Sequence, residues 1–490
     1  MSTALLTDRY ELTMVEAALR SGYAGCPAVF EVFTRRLPER RPWGVFAGLG
    51  RLLEALEEFR FGPDELAWLA SAGVVGPATL EWLEAYRFGG SVDAYREGEL
   101  FTAGSPVLTV EATFAEAVLL ETLVLSTLNF DSAVASAASL ITCAAGERPV
   151  IEMGSRRVDP AAAVAAARAA YIGGFASTSN LEAGRRYGIP TAGTASHAFV
   201  LAYPSETEAF CAQVEAFGEN TTLLVDTYDT QTGIRHAVEA AGPRLGSVRI
   251  DSGDLGTEAV RARALLDELG AHRTRLVVTG DLDAHTIAAL GAAPVDAYGV
   301  GANVVTGMGV PTAGFVYKLV AVGAPPAPGV EGGTVGGAQG PPARRETVSV
   351  AQARAARGPL RPVAKRSAGK ASHGGRKWAW RAYLEGAPTH PEPGVPPADG
   401  PAWADIVSTT PDITLEHAQA LQVRVMEAGT VVHRPCLEDV RSYHLQARER
   451  VGPEPLLLER LVGTASAATD QQGSARSQFA GAPSGDSLTK

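Results

Sequence analysis

Between residues 149 and 300, short β-prone runs recur, each closing in a polar or glycine-rich cluster that leads into an amphipathic stretch. The runs are Pro149 to Met153, Ile189 to Thr194, Thr222 to Val225, Ser247 to Ile250, Arg275 to Val278 and Ala297 to Val300. Helices are expected between them over Pro160 to Tyr171, Glu206 to Phe217 and Thr257 to Leu269. Such an alternation makes parallel strands, which either close into a barrel or lie in an open doubly wound sheet. No GxGxxG follows the first run, so the dinucleotide fingerprint of the open sheet is missing. Nearly every run ends in polar groups: Arg156-Arg157, Thr194 with His197, Asp226 with Asp229, Asp251 with Asp254, Gly280-Asp281, and Gly301 with Asn303. Barrels use reactive groups from many strand ends in this way, so the expected fold class is α/β, an irregular (β/α) barrel.

At 490 residues the chain exceeds a single core, and 46% apolar residues suffice for several. Residues 1–113 mix helical stretches (Glu11 to Ser21, Leu49 to Phe59, Pro63 to Ala72) with β-prone ones (Val29 to Thr34, Ser105 to Val110), so an N-terminal α+β domain is expected there. Residues 114–322 form the barrel, 323–361 a flexible insertion rich in Gly, Pro and Ala, 362–463 a C-terminal domain and 464–490 a disordered tail. The net charge of −11 argues against a nucleic-acid partner, so an anionic ligand must find a local basic pocket. The basic run from Arg344 to Arg381 is either a solvated loop or such a phosphate-facing segment. The most apolar run, Phe114 to Phe130, is broken by Glu116 and Glu121, and Met1 to Arg9 lacks a signal-peptide layout, so neither a membrane span nor export is expected. Cys26, Cys143, Cys211 and Cys436 are far apart, which fits free thiols in a reducing cytoplasm.

Two segments concentrate the chemistry. Gly193-Thr194-Ala195-Ser196-His197 and Arg249-Ile250-Asp251-Ser252-Gly253-Asp254 each close an apolar run. An arginine beside carboxylates can hold an anionic substrate and a Mg-bound diphosphate, and a histidine at a neighbouring strand end can take up a phosphoryl group. Plainer readings stand beside these. Arg249 and Asp251 alternate along a strand as an ion-paired layer would, Asp226 and Asp229 suit helix caps or loops, and Tyr10 alone reads as an ordinary amphipathic core residue.

The ordered set Thr7-Asp8-Arg9-Tyr10-Glu11-Leu12-Thr13-Met14, Gly173-Gly174-Phe175 to Ser179-Asn180, Gly193 to His197, Leu224 to Thr230, Arg249 to Asp254, Gly299-Val300-Gly301 and Val316 to Val320 resembles nicotinate phosphoribosyltransferases. The resemblance runs from residue 7 to about 450. It implies a homodimer of type II phosphoribosyltransferase architecture that joins nicotinate to phosphoribosyl diphosphate, driven by ATP through a phosphohistidine and assisted by Mg2+. His197 matches the phosphorylated histidine, while Arg249 and Thr194 match positions that hold the pyridine carboxylate. Asp251 matches a position near the ribose hydroxyls, and Tyr10 a tyrosine that stacks on the pyridine from the partner subunit. Gly280, Asp281, Gly301, Ala302 and Asn303 fall where ribose and the 5-phosphate bind, with Arg156 and Phe175 as further substrate contacts. Asp226, Asp229 and Asp254 are the candidates for Mg2+.

Some residues depart from the family pattern. Ala302 replaces a threonine found in some members, and Gly374 and Arg366 alter the motif that Val363 to Lys377 otherwise resembles. The same fold acting on nicotinamide or quinolinate is one alternative. A metal-dependent barrel lyase is another, but the nine scattered histidines form no HxH pair for it.

Overall fold

The computed structural model describes residues 2–38, 41, 43–325, 360–367, 370, 372–383, 403–409 and 418–450. Most of the expected 323–361 insertion, and the whole 464–490 tail, lie outside the described residues. The described chain divides into two compact units, one drawn from 1–137, 168–174 and 309–450, the other from 138–167 and 175–308.

The first unit is α+β. Its seven-stranded antiparallel sheet runs in the order Arg361–Pro362, Phe315–Val322, Pro27–Thr34, Leu108–Thr113, Ser91–Tyr95, Gln422–Glu427, Thr430–Val431. Helix Arg9–Ser21 buries Leu12, Val15 and Ala18 on one face and ends at Gly22, whose φ of 75° gives the left-handed turn that glycine tolerates. Ion pairs tie the sheet to the segment after Pro362. Arg376 reaches Asp93 and Glu111, Lys377 reaches Glu31, and Arg381, buried, reaches Glu99. The Phe114–Ala145 stretch is long and apolar enough to cross a membrane by composition, and 61% of its most apolar window is buried. Glu116, one of the breaks in that run, is used in a capping box with Thr113.

The second unit carries the α/β series. Six parallel strands, β1 (Val150–Glu152), β2 (Ser177–Thr178), β3 (Thr222–Leu224), β4 (Ser247–Ile250), β5 (Arg275–Val278) and β6 (Ala297–Val300), lie in the order β2-β1-β6-β5-β4-β3. Their buried, β-branched runs suit a sheet covered on both faces. The first and last strands in this order do not pair, which gives the expected barrel its irregularity. One element differs from the sequence reading. Ile189 to Thr194 forms no strand, only an isolated bridge from Thr191 to Thr178, because Pro190 offers no N–H and its carbonyl alone accepts from Thr178.

Five of the described helices of the second unit start at side-chain caps. Asn180, Ser205, Asp229, Asp254 and Asp283 each accept the N–H three residues on, a contribution of about 1 kcal/mol apiece. Such caps fix where each strand-end loop stops and helix begins, and so hold the site's loops in place.

Candidate active site

The strand ends of the second unit surround a cleft of about 430 Å3. Met153, Ser155, Arg156 and Arg157 reach it from the end of β1, Ser179 from β2, and Gly193 to Ser196 from the loop beyond. Arg249 and Asp251 come from β4, Thr279 to Asp281 from β5, and Gly299, Gly301 and Ala302 from β6. Three arginines thus line one cleft of a chain whose net charge is −11.

Arg249 is the one half-buried position in the otherwise buried strand β4. Its Nε donates to the Thr279 hydroxyl, Nη1 to the Thr194 hydroxyl and Nη2 to Asp251 Oδ1, each at 2.9 Å. Thr279 in turn donates to the same Asp251 oxygen. A guanidinium has five N–H groups, so one on each terminal nitrogen remains for a ligand, the pattern that suits a carboxylate. Burial raises the Asp251 pKa, but the hydrogen bonds from Thr279 and Arg249 and the nearby charge outweigh it, so the carboxyl stays below its usual range. Arg249 is ion-paired as the plainer reading expects, and that pairing leaves the two N–H groups open to the cleft.

His197 opens the short helix His197–Leu201. Its Nδ1 lies 3.1 Å from the Thr227 hydroxyl, and its Nε2 lies 4.0 Å from Asp226 Oδ1 and 3.9 Å from Asp251 Oδ2. Asp226 is buried. Its Oδ2 accepts from the Asp251 N–H and the Ser252 hydroxyl, while its Oδ1 has no hydrogen-bond partner. Among the described residues no cluster of three side chains could by itself ligate a metal. Mg2+ usually keeps several waters and takes only one or two carboxylates plus substrate phosphates, so the orphaned Asp226 oxygen and Asp251 Oδ2 fit that demand. Asp229 and Asp254 are instead spent as helix caps.

Of the other residues singled out by sequence, Arg156, Thr194, Gly280, Asp281, Gly301 and Ala302 line the cleft. Asn303 does not. Its amide donates to the carbonyls of Asp281 (2.8 Å) and Leu282 (3.1 Å), bracing a turn in which Asp281 has a φ of 48°. A Cβ at Gly280, whose φ is 113°, would lie 2.5 Å from the Asp251 carbonyl oxygen, so only glycine fits there. Phe175 is fully buried and does not reach the cleft. Tyr10 belongs to the first unit, on helix Arg9–Ser21, and is 45% exposed. Sequence reasoning gave no role to Thr279 and Ser155, whose only signal was a hydroxyl at a strand end, and named Thr227 only within the Leu224 to Thr230 motif.

The N-terminal domain family of nicotinate phosphoribosyltransferases matches residues 5–129, and the C-terminal domain family of quinolinate phosphoribosyl transferases matches residues 134–308. A nicotinate phosphoribosyltransferase of Mycobacterium tuberculosis is 60% identical over 326 residues, which cover 65% of this chain and 72% of the relative. The chain belongs to the nicotinate phosphoribosyltransferase family. The crystal structure of human nicotinic acid phosphoribosyltransferase superposes with a TM-score of 0.69 at 25% identity, covering 91% of this chain and 94% of that one. A nicotinate-nucleotide pyrophosphorylase from Pyrococcus furiosus shares the fold with a TM-score of 0.67 at 24% identity, over 92% of this chain and 96% of that one. The quinolinate match over the second unit is a likeness of this family's fold and by itself assigns no substrate.

Proposed function

We propose that the strand-end cleft is where this chain, a nicotinate phosphoribosyltransferase, joins nicotinate to the anomeric carbon of phosphoribosyl diphosphate in NAD biosynthesis, and that ATP drives the step through His197. The observation that carries the reading is Arg249, held by Thr194, Thr279 and Asp251 with two N–H groups to spare. A pyridine carboxylate takes both. Nicotinamide presents an NH2 group that would face N–H donors, so the acid is preferred over the amide.

Breaking the bond to diphosphate builds positive charge on the ribose and negative charge on the leaving group. Arg156 and Arg157 supply cations to the anionic end, and Asp251, kept ionised, stands on the ribose side. Asp226 and Asp251 are the residues that would hold Mg2+, which when bound supplies charge for the diphosphate. In the tautomer that donates Nδ1–H to the Thr227 hydroxyl, the Nε2 lone pair of His197 is the nucleophile toward the γ-phosphoryl group. In a homodimer the partner subunit's Tyr10 stacks on the pyridine, consistent with an aromatic side chain left half exposed on its own fold. The thiols Cys26, Cys143, Cys211 and Cys436, none in a disulfide, accord with a cytoplasmic setting.

The test is to incubate the purified protein with phosphoribosyl diphosphate and Mg2+ plus nicotinate, nicotinamide or quinolinate, with and without ATP. Nicotinate mononucleotide and diphosphate should form from nicotinate, faster with ATP. Turnover of quinolinate or nicotinamide in preference to nicotinate would overturn the assignment.

A further inference from the structure

Thr279 and Asp251 organise the β4 and β5 side of the cleft. The opposite side, built from the loops after β1, β2 and β6, is wired through a residue that does not touch the cleft. Glu152, the last residue of β1, is 1% exposed, and it has no salt-bridge partner among the described residues. One carboxylate oxygen accepts from the Gly154 N–H, the other from the Thr178 hydroxyl at 2.5 Å. The Thr178 oxygen accepts from the Asn180 N–H at 3.0 Å, so its single proton is committed to Glu152. The Asn180 amide then donates to the Ser155 hydroxyl at 3.0 Å, closing a ring that joins the 153–157 loop to the 178–180 loop.

The turn at Gly154 is seated without slack. A Cβ there would collide with Val305 and stand 3.0 Å from the Gly301 carbonyl, so Gly154 presses against a residue that itself lines the cleft. Ser155, Arg156 and Arg157 follow directly. Two donors converge on Glu152, and only a carboxylate accepts from both. An amide at this place would meet one of them with its own N–H. A buried carboxylate without a cation is costly to desolvate, and burial pushes this pKa up while the Thr178 and Gly154 bonds pull it back.

We propose that Glu152 is a positioning residue for the sugar-phosphate half of the reaction: by pinning the Gly154 turn it aims Ser155, Arg156 and Arg157 at the anionic substrate. The proposal rests on the functional reading above and adds the residue that orders its basic loop.

The test uses full-length Glu152→Gln, with Thr178→Val as a second variant that removes one donor and leaves the carboxylate. In both, the KM for phosphoribosyl diphosphate should rise about tenfold while the KM for nicotinate stays within about twofold. Added to Arg156→Ala, Glu152→Gln should cost less than about twofold more, because both act on one contact. Equal losses for the two substrates, a lowered melting temperature with unchanged KM values, or full additivity with Arg156→Ala would each overturn the proposal. If Glu152→Gln does not fold, Thr178→Val decides by the same criteria. A wild-type protein that fails to make nicotinate mononucleotide sinks the functional reading instead, before any variant is compared.

Discussion

At the scale of single residues, Arg249 and His197 carry the sharpest expectations. Arg249→Ala should weaken nicotinate binding by about 2 to 5 kcal/mol, because the acid's carboxylate is left desolvated and unpaired, and should leave ATP hydrolysis far less affected. Titration calorimetry with nicotinate checks it, and wild-type affinity in the variant would return Arg249 to a purely structural pair. His197→Ala should abolish stimulation by ATP yet retain a slow transfer, since the proposed phosphorylation would shift substrate affinity rather than make the glycosidic bond. Label from γ-labelled ATP should appear on the wild type as an acid-labile, base-stable adduct and be missing from the variant. Equal labelling of the two would assign the phosphate to another side chain. Much of this site was legible in the sequence because strand ends advertise their polar residues. Thr279 and Glu152 were not, since a threonine closing a β-branched run and a glutamate inside one gain their meaning only from partners 28 and 26 residues away.

Among the elements, the strands of the second unit were readable from buried β-branched runs bounded by polar turns, and five of the six expected runs hold observed strands within a residue of the expected ends or coincide with them. β2 was missed because two residues carry no periodicity, and its pairing is decided by β1 beside it. Helix Leu437–Arg450 shows what sequence cannot show at all. On it His444 is fully buried, with Nδ1 bonded to the Gly98 carbonyl, and burial pushes its pKa down from 6.5 to about 4. Asp93, Glu99 and Arg381 pair elsewhere in the same unit, and the charges acting on His444 are the cations Arg441 and Arg448 of its own helix. Because the unfolded chain binds this proton and the folded one does not, stability is lost as pH falls from about 6.5 toward 4, by on the order of 3 kcal/mol. His444→Gln keeps a donor for the Gly98 carbonyl and removes the titration. Denaturant melts of the variant should accordingly lose less stability than wild type between those pH values. Asp131, whose pKa burial raises to about 6, works in the opposite sense and cancels in the comparison. Parallel curves for the two proteins would show that His444 is not the titrating group.

On the scale of the whole molecule, the proposed completion of the site by the partner subunit's Tyr10 would make activity a property of the pair. Tyr10→Ala should inactivate while each subunit stays folded. Mixing it with His197→Ala should restore part of the activity, because one of the two composite sites in a heterodimer escapes both changes. Heterodimers demonstrated by differential tagging but no more active than either parent would rule out shared sites.

The cleft's two sides are held by hydrogen-bond networks with no residue in common: Glu152, Thr178, Asn180 and Ser155 on one, Arg249, Thr194, Thr279 and Asp251 on the other. Substitutions in separate networks combine without interference. On the roles proposed above, rewriting Thr194 and Thr279 around Arg249 would exchange the ring that this scaffold accepts, while Asp251 and the Glu152 set keep their grip on the sugar phosphate.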